Sequence, residues 1–124
     1  MFEVGDVLYV YNTAVTPPEH KYSVFVCLNP NLFLLINTKN RKIYNCIPVK
    51  QEHNPYLKYD SFISCNRTFQ YTLDQLKETN KVGRLDFDTL KRLYLHIKDN
   101  VNTLPPIEKN IILKQLNDFI EDNS

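Results

Sequence analysis

The chain has 124 residues, with 15 Lys and Arg against 14 Asp and Glu, so its formal net charge is +1. This balance excludes a general electrostatic attraction to nucleic acid, and any such contact must come from a local patch. Hydrophobic residues make up 43% of the chain, which excludes global disorder and supplies one modest core.

Cysteine usage and hydropathy limit the class of protein further. Cys27, Cys46 and Cys65 form no CxxC pair, so their spacing predicts neither a zinc site nor a disulfide framework. We expect buried thiols in a reduced protein, with no metal and no cofactor. The N-terminal residues lack the basic and apolar regions of a signal peptide, and the apolar run 32–36 is far shorter than the roughly 20 residues of a membrane span. We therefore expect a soluble, cytoplasmic protein.

The first half of the chain is rich in β-branched and aromatic residues broken by short polar clusters, which is typical of strands joined by turns. Five strands are predicted, at residues 7–11, 22–28, 32–37, 43–49 and 61–71. The connections carry turn-forming residues, among them Pro17-Pro18 and Asn29-Pro30. Short strands at this spacing favour a small closed or partly open barrel.

From residue 72 onward the apolar spacing becomes helical. Thr72, followed three residues later by Gln75, has the capping-box pattern, and Asp86 precedes a long amphipathic stretch. The predicted helices cover residues 72–79, 86–101 and 106–121, and residues 81–85 are predicted to return as a last strand or extended turn.

These elements predict one domain over residues 1–124 with an α+β fold that is mainly β. A barrel occupies residues 1–85, including the short helix, and the helices over 86–101 and 106–121 follow it. The amphipathic pattern of the helix over 86–101 predicts that one of its faces packs on the barrel.

Five short segments occur in an order that matches a known family. Gly5-Asp6 opens a strand of alternating apolar residues, and His20-Lys21 closes the first long loop; the later segments are 34–38, 57–66 and 82–86. They resemble, over roughly residues 5–101, the PemK/MazF family of toxin–antitoxin toxins. In that family a first strand begins Gly-Asp, a loop ends in basic residues, and a strand ends in Pro-x-Thr-Ser.

The resemblance implies an SH3-like barrel of the PemK/MazF type followed by C-terminal helices. It implies a toxin-like hydrolase, the toxin component of a type II toxin–antitoxin system. Such an enzyme is an endoribonuclease that cuts single-stranded RNA without a metal. The implied assembly is a homodimer with RNA between two barrels, and the implied partners are that RNA and an antitoxin or other regulatory protein, with no membrane.

The catalytic candidates are His20, Lys21, Thr38 and Arg67. Imidazole side chains are common general acids and bases, so His20 is a candidate acid or base, whereas Lys21 offers a point charge for phosphate. Thr38 matches the family's hydroxyl position. Each of these residues also has a plain interpretation as a surface or turn residue. The nuclease hypothesis requires that the loop after the first strand and the tip of the third strand meet on one face.

A second set of residues is expected to bind RNA through charge and stacking. This set is Lys39, Arg41, Lys42, Tyr44 and Asp60. Asp60 with Arg67 can orient a base and bind phosphate, or form an ordinary surface ion pair. Lys39, Arg41 and Lys42 can equally be the charged tip of a turn.

The alternative function is a catalytically inactive PemK-like barrel, encoded by a phage or mobile element, that binds a protein or nucleic acid. Ile36 and Lys39 stand where the family has Pro and Ser, and the basic pair His20-Lys21 contains no Arg. These departures favour the alternative. A DNA-associated accessory protein is a third class, which the near-zero net charge disfavours.

Overall fold

The computed structural model describes residues 2–124 and has an α+β fold, mainly β, in which a curled half-barrel sheet carries C-terminal helices. Its six strands are β1 (Asp6–Asn12), β2 (Glu19–Cys27), β3 (Leu32–Asn37), β4 (Cys46–Val49), β5 (Ser61–Ser64) and β6 (Lys81–Arg84). All pairings are antiparallel, in the order β4-β5-β3-β2-β1-β6. Residues 81–85 were predicted to return as a last strand or extended turn, and residues 81–84 form the strand β6, which pairs with β1.

Three helices follow the capping signals in the sequence. They are α1 (Leu73–Lys77), α2 (Phe87–Asn100) and α3 (Pro106–Asp122). The predicted capping box is confirmed, because Thr72 accepts from the Gln75 backbone N–H while the Gln75 side chain accepts from that of Thr72. Asp86 caps α2 by accepting from the Thr89 N–H at 3.1 Å, and Pro106 begins α3 where a missing N–H costs nothing.

The sheet is buried on both faces around β2, as its nearly continuous apolar run indicates. On one face Val24 and Val26 belong to the main core, which includes Leu93 of α2 and Leu116 of α3. Both helical leucines are fully buried, so α3 completes this core. On the other face a smaller cluster contains Leu8, Val10, Phe25, Phe33, Tyr71 and Leu76.

Strand β2 begins at Glu19, three residues before its predicted start. The reason is pairing with β1, in which Tyr11 lies opposite His20 and Asn12 opposite Glu19. His20 and Lys21 are therefore strand residues and do not belong to the loop in which they were predicted.

Strand β4 is shorter than predicted because Asn45 interrupts it. Asn45 takes a left-handed backbone conformation with φ 52°. Its side-chain amide donates to the Asn100 carbonyl at 2.7 Å, and its own carbonyl lies 3.2 Å from Nε2 of His96. Residues 42–44 consequently form a 3₁₀ turn instead of a strand.

Strand β5 ends at Ser64 and does not reach residue 71. Beyond it, one isolated bridge joins Phe69 to Phe33 through two backbone hydrogen bonds of 2.9 Å. No helix within residues 2–124 combines the length and the apolar character needed to cross a membrane.

Candidate nucleic-acid interface

A pocket of about 430 Å³ opens at the end of the β1–β2 hairpin. Its walls come from the hairpin loop, from the end of β3 with the turn after it, and from the segment after β5. Four basic side chains line it, those of Lys21, Lys39, Arg41 and Arg67. Within residues 2–124, Glu19 is the only carboxylate that lines the pocket. Although the chain as a whole is nearly neutral, the pocket has a local excess of positive charge, which suits an anionic ligand.

The pocket floor is a chain of hydrogen bonds across β2, β3 and β5. The Lys21 ammonium donates to Oδ1 of Asn37, and Nδ2 of Asn37 donates to Oγ of Ser64 at 2.7 Å. Only 16% of the Lys21 side chain is exposed, and its Nζ lies 3.6 Å from a Glu19 carboxylate oxygen. These two contacts hold Lys21 in place. Because an ammonium has three N–H donors, at least one of them is still available to a ligand.

Both arginines of the pocket rest on aromatic rings. The Arg67 guanidinium carbon lies 4.3 Å from the centre of the Phe69 ring, and that of Arg41 lies 5.8 Å from the centre of the Tyr44 ring. In the described part of the chain neither guanidinium has a carboxylate within 4 Å. The stacking orients these guanidinium groups and leaves their N–H groups available to a phosphate.

The loop after the first strand and the tip of the third strand meet in this pocket, as the nuclease hypothesis requires. Residues 14–17 of the hairpin loop form one wall, and Thr38 and Lys39 form part of the other. The structure thus brings Lys21, Thr38 and Arg67 together.

His20 is separated from the other three catalytic candidates. Side chains alternate along a strand, so His20 and Lys21 lie on opposite faces of β2. The imidazole stacks on Tyr9, with ring centres 5.1 Å apart, and makes an edge contact with Tyr11 at 5.3 Å. The expectation that His20 shares a pocket with Lys21 is therefore wrong.

Two members of the expected RNA-binding set also lie elsewhere. Asp60 accepts from the Gln51 N–H at 2.9 Å and lies 3.9 Å from the Lys50 ammonium, so it does not form the expected pair with Arg67. Lys42 begins the 3₁₀ turn and does not line the pocket. The other three members, Lys39, Arg41 and Tyr44, do line it.

Sequence reasoning missed Glu19, Asn37 and Ser64 as pocket residues. Glu19 lies two positions before Lys21, so strand alternation would have placed both on one face had β2 been extended to its true start. Asn37 and Ser64 carry no local signal, because their proximity depends on β3 pairing with β5.

The thiols of Cys27 and Cys65 and the phenol of Tyr71 are buried and do not line the pocket. Burial raises the pKa of Cys27 to about 11 and that of Cys65 to about 12. Burial also raises the pKa of Tyr71, whose hydroxyl lies 2.7 Å from Oγ of Ser23 and accepts from Nδ2 of Asn12 at 3.1 Å. All three groups are neutral at physiological pH. The Tyr71 hydroxyl connects β1 and β2 through Asn12 and Ser23, whereas the two thiols lie in the main core.

No cluster of three or more His, Cys, Asp or Glu side chains with the geometry of a metal site occurs within residues 2–124. The chain matches no protein-family model, and no curated protein matches it in sequence.

Proposed function

We propose that the basic pocket binds the phosphodiester backbone of single-stranded RNA and cleaves it without a metal, as a toxin-like endoribonuclease. One observation carries this proposal: four basic side chains converge on a pocket that contains a single carboxylate. Within residues 2–124, Lys39, Arg41 and Arg67 have no carboxylate within 4 Å, and such cations favour phosphate. The concave shape favours a flexible single strand over a rigid duplex.

The pocket residues supply the groups that the reaction needs. Cleavage forms a bond from the ribose 2′-oxygen to phosphorus and breaks the bond to the 5′-oxygen. It requires a base for the 2′-hydroxyl, donors for the charge that develops on phosphorus, and an acid for the leaving 5′-oxygen, for which the Lys21 ammonium is the candidate. Glu19 is the candidate base, because it is the carboxylate beside the cations. Lys21 and Arg67 are the candidate donors to the phosphate oxygens, with the Thr38 hydroxyl beside them. Such donors, set in place before the reaction, stabilise the transition state most.

The PemK/MazF resemblance supports the same proposal of a toxin-like endoribonuclease. It supplies the fold hypothesis of an SH3-like barrel, a homodimer, and an antitoxin or other regulatory protein as partner. The short β1–β3 meander that begins at Gly5-Asp6, and the helix that follows β6, support this fold hypothesis.

A second candidate is a barrel that binds RNA or a protein without cutting it. The position of His20 favours this candidate, because the imidazole expected to transfer protons faces away from the pocket. The ammonium of Lys21 is also held by Asn37, which suits binding as well as catalysis.

The test uses purified protein and an end-labelled single-stranded RNA in EDTA, with products resolved on a denaturing gel. We expect cleavage by the wild type and a loss of about 100-fold or more in Glu19→Gln, Lys21→Gln and Arg67→Gln. Arg92→Gln, a charge change on α2 away from the pocket, should cleave at the wild-type rate.

Binding without cleavage would reject the enzyme and support the second candidate. Neither binding nor cleavage, or cleavage that survives Lys21→Gln and Arg67→Gln, would reject the pocket as the site of RNA contact. Growth arrest on overexpression, abolished by the same substitutions, would support a toxin.

A further inference from the structure

A row of aromatic rings crosses the face of the hairpin opposite the basic pocket. Its members are Tyr11, His20, Tyr9, Tyr22 and Tyr56. Each ring contacts the next, and the centres of Tyr9 and His20 lie 5.1 Å apart with only 25° between their planes. The centres of Tyr9 and Tyr22 are 4.7 Å apart.

The rings at one end of this row pack against the core, and the rings at the other end, here called the open end, are exposed to solvent. Tyr22 and Tyr56 pack against the main core, where the Tyr22 hydroxyl donates to the Tyr56 carbonyl at 3.3 Å. Tyr9 and Tyr11 are 46% and 45% exposed, and His20 is exposed as well. Cross-strand ring pairs stabilise a hairpin by up to about 1 kcal/mol each. They do not require that nearly half of each ring stay in water, so the open end also offers an exposed aromatic contact surface.

The open end of the row and the basic pocket lie on opposite faces of the hairpin, and the hairpin loop connects them. Tyr11 and His20 form the next-to-last pair before the loop, and residues 14–17 of that loop form a pocket wall. The pocket volume, about 430 Å³, lies near the lower end of the range for small-molecule sites. It is suited to one nucleotide, and a longer strand must continue outside it.

We propose that Tyr9, Tyr11 and His20 form a stacking surface for bases of the RNA strand whose phosphate lies in the basic pocket. The strand would pass over the loop at residues 13–18, with cations on one side and aromatic rings on the other. This inference rests on the proposed function and adds a second binding surface for the same RNA.

The chemistry of the two faces favours a single-stranded nucleic acid as the occupant. Aromatic side chains on neighbouring strands of an open sheet face are a common platform for unpaired bases. The rings supply stacking with little sequence preference, and the adjoining cations of the pocket supply the charge that such binding needs.

The test compares two labelled 2′-O-methyl RNAs, a dinucleotide and a decamer, which the protein cannot cut because the 2′-hydroxyl is blocked. Affinities are measured by fluorescence anisotropy. Tyr9→Thr and His20→Thr should each weaken decamer binding about tenfold and leave dinucleotide binding unchanged. Tyr9→Phe, which keeps the ring, should retain wild-type affinity. Tyr59→Thr removes a tyrosine that is 66% exposed outside the row and is the matched control.

The dinucleotide also reports on folding, because a variant that binds it normally retains the pocket. If Tyr9→Thr and His20→Thr bind the decamer as the wild type does while Lys21→Gln weakens both RNAs, the stacking surface is rejected and the proposed function stands. If the aromatic changes weaken only the decamer while Lys21→Gln has no effect, the rings do bind RNA bases, but the pocket function is rejected and so is the proposed path of the strand from the pocket over the loop. A change of oligomeric state in these variants with unchanged RNA binding would identify a protein contact and overturn the proposal.

Discussion

Lys21 donates a hydrogen bond to the side-chain oxygen of Asn37 across the β2–β3 pair. The contact holds a long, flexible side chain at the floor of the pocket, with 16% of its area exposed. A lysine positioned in this way loses little additional entropy when it meets a phosphate. Asn37 is thus a positioning residue for the proposed RNA site.

Replacing Asn37 by Asp should lower RNA affinity by about tenfold or more. The variant keeps the shape of the side chain but introduces a carboxylate that pairs with Lys21 and repels phosphate. Fluorescence anisotropy with a labelled single-stranded RNA measures the effect. Asn102→Asp makes the same charge change at an exposed position in the α2–α3 connection and should bind as the wild type does. Equal affinities for both variants would contradict the role of Lys21.

RNA affinity should fall with salt in proportion to the number of cations that contact phosphate. Four contacts from the pocket predict a slope of about −3 in a plot of log affinity against log salt concentration. Arg41→Gln and Arg67→Gln should each make that slope shallower by about 0.7. Arg92→Gln on α2 should leave it unchanged, and an unchanged slope in the two pocket variants would show that their guanidinium groups do not contact phosphate.

Acid should destabilise the fold partly through Asp86. Burial alone would raise the pKa of Asp86, but hydrogen bonds from Thr89 and Asn54 outweigh it and hold that pKa below its ordinary value. A carboxylate with a lowered folded-state pKa stabilises the fold above its unfolded pKa, near 3.9, and loses that stabilisation as the pH falls. Asp86→Asn should therefore flatten the decline in melting temperature between about pH 5 and pH 3.

The same variant should remain folded at pH 7, because Asn is as good an N-cap as Asp. Its single side-chain oxygen can keep the hydrogen bond from the Thr89 N–H, while the hydrogen bond from Asn54 is lost. Thermal melts followed by circular dichroism at several pH values measure both effects. An acid decline as steep as that of the wild type would contradict the assignment to Asp86.

Thiol reactivity should separate the three cysteines. With a pKa of about 11 and about 12, Cys27 and Cys65 hold on the order of one thiolate in a thousand or fewer at pH 8, and both are buried. Cys46 is half-buried, with its sulfur 3.8 Å from Oγ of Ser64. Mass spectrometry after brief iodoacetamide treatment should find Cys46 modified first, and all three only after denaturation. Early modification of Cys65 would show that the main core opens readily.

Local chemistry in the sequence determined most of the elements. Thr72 with Gln75, and Asp86 before its amphipathic stretch, predicted helix starts that the structure confirms, because a cap is satisfied within one turn of chain. Five of the six strands were also recognisable from their β-branched and aromatic composition, although three of their ends were misplaced by three residues or more. A strand ends where its partner ends, as Glu19 opposite Asn12 shows, and that partner is not local.

The candidate nucleic-acid interface was also predictable only in part. The basic candidates could be picked out from the primary structure alone, and Lys21, Lys39, Arg41 and Arg67 do line one pocket. The pairing of β2, β3 and β5 in the folded chain places Asn37 and Ser64 at the pocket floor, and the register of β2 turns His20 to the opposite face. The physical reason is alternation: adjacent residues of a strand point to opposite sides of the sheet, so extending β2 by three residues separates His20 from Lys21.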